Sequence, residues 1–140
     1  MLEEEEKYLV ELRSESGLPI NATFTLNDVD PDSCMLTLHY DQVEIAASAS
    51  DYFEALCQIR ERLEELGLRP FCYGASLNVY PSAMGRDMGA AGRRAYKMTI
   101  GRYARTKDLV DIFDTGPDVN LATVAEQKAF VEKWLYTEKV

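Results

Sequence analysis

The chain has 140 residues, 46% of them apolar, which is enough to bury one sizeable core and too few for two ordinary domains. A charged fraction of 28% with 8 glycines and 5 prolines excludes the disordered and fibrous classes. The formal net charge of −9 is held unevenly: residues 1–70 carry 16 acidic and 5 basic side chains, residues 71–140 carry 8 and 10. Such a balance suits a basic protein partner and disfavours nucleic acid, unless the two halves interleave in space and the asymmetry cancels at the surface.

The opening Met1-Leu2-Glu3-Glu4-Glu5-Glu6 is acidic where a secretory signal would be basic and then apolar, and no apolar run approaches the roughly 18 residues that cross a bilayer. Cytoplasmic placement without membrane insertion is therefore expected. Cys34, Cys57 and Cys72 are odd in number and scattered, so they read as buried thiols of a reducing compartment, with no metal site or disulfide framework. Asn21-Ala22-Thr23 fits a glycosylation acceptor that such a chain has no use for.

Lys7 to Arg13 fits a strand or a short helix, and the strand is preferred. Ile20, Ala22, Phe24 and Leu26 alternate with polar residues, predicting a strand, and Asn27 to Ser33 is dense in turn formers. Leu36, Leu38 and Tyr40 then face one way and Met35, Thr37 and His39 the other, and Val43-Glu44-Ile45 alternates again after Asp41-Gln42, which completes an antiparallel meander. Ser50 is placed to cap a helix whose stripe is Tyr52, Leu56, Ile59, Leu63 and Leu66, with Gly67 to close it. Its other face carries Glu54, Glu61, Arg62, Glu64 and Glu65. One or two short strands are expected within Leu68–Val79 and another over Ala95–Gly101, and Val110 to Asp114 is a short apolar piece before a turn at 115–118. Thr123 and Glu126 form a capping box for a final helix with Val124, Lys128, Val131, Trp134 and Leu135 on its apolar side. The fold class is α+β: one antiparallel meander packed by a long central helix, with further short strands and a C-terminal helix, all in one domain.

The segment Tyr80 to Tyr96 is rich in glycine and arginine, and glycines with arginines can present N–H groups and guanidinium groups to an anion. The spacing of Gly85, Gly89 and Gly92 matches neither a dinucleotide fingerprint nor a P-loop, and a plain connection with Met84 and Met88 turned to the core explains it as well. His39 is the single histidine, on the polar face of a strand, where surface hydrogen bonding is the ordinary role. Asp111, Asp114 and Asp118 flank a turn and are explained by it. Tyr73, Tyr80, Tyr96 and Tyr103 among basic residues suit a protein interface, and an acidic pI argues against base stacking. No catalytic set, cofactor or metal is implied by these residues.

The run Cys72-Tyr73-Gly74-Ala75-Ser76-Leu77-Asn78-Val79-Tyr80-Pro81-Ser82, continuing through Met84-Gly85-Arg86-Asp87-Met88-Gly89 to Ala95-Tyr96 and then Leu109-Val110-Asp111-Ile112-Phe113, resembles a group of small standalone bacterial proteins associated with immunity in polymorphic and contact-dependent toxin systems. The resemblance extends from Ala22-Thr23-Phe24 to Glu126-Gln127-Lys128-Ala129-Phe130. It implies a non-enzymatic protein that binds and neutralises a cognate toxin in the cytosol, and it carries no catalytic residues. Glu54, Glu61 and Glu65 are then the partner-binding candidates on the helix, joined by Tyr73, Asn78, Tyr80, Arg86, Asp87, Arg93, Arg94 and Tyr96 in the second half. Two other readings stand beside it. One is a small-ligand or anion-binding module built on residues 84–96, enzymatic or not; the other is a homodimer through exposed tyrosines.

Overall fold

The computed structural model describes residues 5–15, 17–82 and 91–140. Four strands follow one another along the chain: β1 (Glu6–Arg13), β2 (Ile20–Asp30), β3 (Ser33–Tyr40) and β4 (Val43–Ala49). Each pairs antiparallel with its neighbour in sequence, and β5 (Arg69–Pro70) joins the far side of β1, giving the order β4-β3-β2-β1-β5. The alternation read in β2 and β3 fixes which face is wet: Ala22, Phe24, Leu26, Leu36 and Leu38 are buried, whereas His39 and Met35 are exposed on the opposite face. Asp41 takes a φ of 49° in the two-residue turn between β3 and β4, a conformation that short Asp and Asn side chains tolerate.

Helix α1 (Tyr52–Glu65) covers the apolar face of the sheet with Tyr52, Leu56, Ile59 and Leu63. Full burial of each aliphatic member contributes about 1.5–3 kcal/mol. Asp51, not Ser50, is the cap: its carboxylate accepts from the Glu54 N–H at 2.8 Å, because the helix begins one residue later than the serine would set it. Gly67 ends the helix at φ 72° as expected, but Leu66 is 59% exposed and lies off the buried stripe.

A second sheet of three short strands, β6 (Val79–Tyr80), β7 (Arg94–Lys97) and β8 (Leu109–Asp111), follows in the order β6-β7-β8. The strand expected over Ala95–Gly101 stops at Lys97, where Met98 turns its N–H to the Asn78 carbonyl. Helix α2 (Val124–Tyr136) has the predicted capping box, with Thr123 and Glu126 exchanging bonds of 3.0 and 2.8 Å. Its inward face is rotated from the expected one: Val124, Gln127 and Val131 are buried, while Lys128 and Leu135 are exposed. A glutamine takes the core position because polar backbone waits there. One hydrophobic cluster unites Phe24, Leu56, Ala95, Phe113 and Val124 from both sheets and both helices.

Cys34, Cys57 and Cys72 are buried and free of disulfides, as the sequence predicts. Burial first, with the nearby Asp51 and Asp28 charges behind it, pushes the Cys34 thiol up to about 11, and burial pushes Cys72 to about 11 as well. Both stay protonated at neutral pH. A thiol-exchange reagent at pH 7.5 should therefore label no cysteine of the native protein within minutes and all three in denaturant; one rapidly reacting native thiol would contradict this packing.

Candidate interaction surfaces

The exposed face of α1 follows from its buried one. With Tyr52, Leu56, Ile59 and Leu63 turned to the sheet, the helical period leaves Glu54, Gln58, Glu61, Arg62 and Glu65 in solvent. Glu64 departs from that set: it is half-buried, and its carboxylate accepts from the Val124 N–H at 3.1 Å, at the first residue of α2. Arg62 donates to the Ala46 carbonyl at 3.3 Å, so it covers the β4 edge and forms no ion pair with the helix carboxylates. The turn expected over residues 27–33 narrows to Pro31 and Asp32, because β2 stays paired with β3 as far as Asp30; Asp28 and Asp30 at the end of β2, with Asp32 in the turn, are all exposed at the N-terminal end of the helix. This hairpin end is pinned there by the Tyr52 hydroxyl, which donates to Asp28 at 2.6 Å. Burial and the Asp28 carboxylate both raise the Tyr52 pKa, so the phenol keeps its proton and the pin holds at neutral pH. Among the described residues none of Asp30, Asp32, Glu54, Glu61 and Glu65 has an ion-pair partner.

In the second half the structure ties most candidates into the fold. Arg93 grips Glu6 through two bonds of 2.9 and 2.6 Å and donates to the Tyr8 hydroxyl, which in turn reaches Asp111 at 3.2 Å. Burial alone would lower the arginine's pKa, but the bonds to Glu6 and Tyr8 outweigh it and hold the guanidinium charged. Tyr73 donates to Asp118 at 2.7 Å and Lys97 reaches the same carboxylate at 3.1 Å. Chiefly through that bond, the Tyr73 pKa rises to about 12, and the Asp118 carboxyl is held below its usual range by Tyr73 and then Lys97. Asn78 donates to the Met98 carbonyl and accepts from Ser76, both at 3.2 Å. Tyr80 packs edge-on against Phe53 at 5.0 Å, and Tyr96 is half-buried opposite it in β7. Arg94 is exposed. Arg86 and Asp87, with Met84, Gly85, Met88 and Gly89, lie outside the described residues.

His39 is exposed on the outer face of the sheet and pairs with Glu44 at 2.8 Å, a surface contact. Asp111 accepts from the Phe113 N–H at 2.9 Å, the backbone role its turn predicts. No group of three or more His, Cys, Asp or Glu side chains able to hold a metal occurs among the described residues.

The sequence does not announce a buried polar pair, Arg60 and Gln127. Arg60 is 1% exposed and donates to the Gly74 carbonyl at 3.0 Å, the Ala122 carbonyl at 3.0 Å and the Gln127 side-chain oxygen at 2.6 Å. Gln127, equally buried, turns its amide nitrogen to the carbonyls of Gly74, Ser76 and Val79 at 3.0, 2.9 and 2.9 Å. Its two hydrogens are shared among three acceptors. Its one local signal is that Arg60 stands four residues after Leu56 and three before Leu63, on the stripe itself.

No family model and no curated protein matches the chain.

Proposed function

We propose that the protein is a non-enzymatic inhibitor of the immunity type, which works in the cytosol by binding one copy of a basic toxin domain and covering its functional surface. The observation that supports this reading is the acidic surface of α1 and the adjoining end of the β2–β3 hairpin, where Asp30, Asp32, Glu54, Glu61 and Glu65 form no ion pair among the described residues. Exposed carboxylates on a helix, with no ion pair among the described residues, attract a basic partner and set its orientation before contact. Of the arginines a small-anion clamp would use, Arg93 is already bonded to Glu6 and Tyr8, which favours the same reading. Inhibition by occupancy needs no turnover, in keeping with the absence of any catalytic signature in the sequence.

The reading expects a reading frame for a basic toxin domain next to this gene, and the test is an association-rate measurement with that domain. Glu54→Lys combined with Glu61→Lys and Glu65→Lys should slow association by roughly 10- to 100-fold at low salt, and the difference should shrink once salt screens the surface. These exposed positions leave the core intact, so the melting temperature should move little. An unchanged rate at every ionic strength would remove α1 from the interface, and the absence of any binding or protection would end the reading altogether.

A further inference from the structure

We infer that the free edge of β1 is a docking site for an extended strand of another protein, one that sets an aliphatic residue opposite Leu9 and a carboxylate opposite Lys7. On that side β1 meets β5 only at Leu12 and Arg13, followed by one bond of 2.8 Å from the Phe71 N–H to the Glu11 carbonyl. Backbone groups alternate sides along a strand, so the Glu11 carbonyl direction places the N–H and C=O of Leu9 and Lys7 on the same outer side. Those four groups have no strand partner among the described residues. Leu9 is 87% exposed, although it lies mid-strand. It borders a groove of about 490 Å³ that runs across β1, with Phe71, Arg13 and Thr115 on the side of the open edge and Asn21 and Ala22 of β2 on the other; the Arg13 guanidinium lies 3.4 Å over the Phe71 ring. An open strand edge beside an exposed aliphatic residue is the template that strand addition uses: main-chain bonds supply affinity and alternate side chains supply selectivity.

Charge decides against a second copy of this chain. Because the Glu11 carbonyl is already engaged by Phe71, two β1 edges could pair only about Tyr8 or an earlier residue. Centred on Tyr8, Glu5 would oppose Glu11 of the other molecule; centred on Lys7, two lysines would meet; centred on Glu6, Lys7 would face Glu5 but two glutamates would meet in the closer pair between them. A foreign antiparallel segment has no such conflict. Leu9, Lys7 and Glu5 ask in turn for aliphatic, acidic and basic side chains at alternate positions.

The probe is the peptide acetyl-Thr-Val-Thr-Glu-Thr-Lys-amide, titrated to millimolar concentration against the isotope-labelled protein and followed by NMR. Saturable shifts centred on the Lys7 and Leu9 amides are expected, with at least fivefold slower hydrogen exchange at Leu9. Methylating the valine and glutamate nitrogens, or making Leu9→Lys, should weaken binding at least tenfold, with the melting temperature of the variant unchanged. No shift at β1, or equal binding by the methylated peptide, would overturn the inference. So would a concentration-dependent dimer in sedimentation that Leu9→Lys abolishes, since the edge would then belong to a second copy. The inference does not rest on the toxin reading: it uses β1 and not the α1 carboxylates, so either experiment can fail while the other succeeds.

Discussion

Replacing Gln127 with leucine should cost about 3–5 kcal/mol, read as a fall in the urea midpoint with an unchanged slope. Leucine fills similar space but strips the Arg60 guanidinium of its shortest bond and takes the donor away from three buried carbonyls. A charge buried among neutral acceptors has no carboxylate to fall back on, so every acceptor lost is felt as desolvation. Against a total stability of about 5–15 kcal/mol for a domain, that loss is a large fraction. A change below about 1 kcal/mol would mean that the guanidinium finds water when the amide is gone, contrary to its near-complete burial.

Arg60→Met should cost less, about 2–4 kcal/mol, although it removes the charge itself. Methionine is not charged and escapes the burial penalty, and Gly74 retains its bond from Gln127; the Ala122 carbonyl and the Gln127 oxygen are the groups left wanting. Because the two substitutions damage one network, the double variant should lose at least about 1 kcal/mol less than the two single losses added together. Strict additivity would show that the two side chains act separately. Protein yield and a cooperative transition in each variant provide the control that folding, not aggregation, is being measured.

Much of the architecture was legible because it follows from local rules. The period of two in Ile20–Leu26 and Leu36–Tyr40, the 3.6-residue stripe from Tyr52 to Leu63 and the box at Thr123 and Glu126 each need only nearby residues to be read. What escaped depended on distant partners. Lys128 and Gln127 are one position apart, about 100° around a helix, and only the carbonyls presented by the Gly74–Val79 segment decide which of them turns inward. Ser50 and Asp51 are equally able to cap, and the buried Tyr52, bonded to Asp28, fixes where the helix starts. The candidate surfaces were legible by half: Glu54, Glu61 and Glu65 emerged from the helical period, whereas nothing local shows that Arg93 is committed to Glu6, 87 residues away. The open edge beside Leu9 was also hidden, since strand neighbours on both sides must be known before a missing one is noticed.

The Arg60–Gln127 bond also bears on how the molecule is made, because its two ends lie 67 residues apart. While a ribosome has delivered only the four consecutive strands and the helix above them, Arg60 has none of its three acceptors at hand, and that cation must keep its own hydration. Arg60 therefore completes its set of acceptors only when the last helix emerges and brings the Gln127 amide.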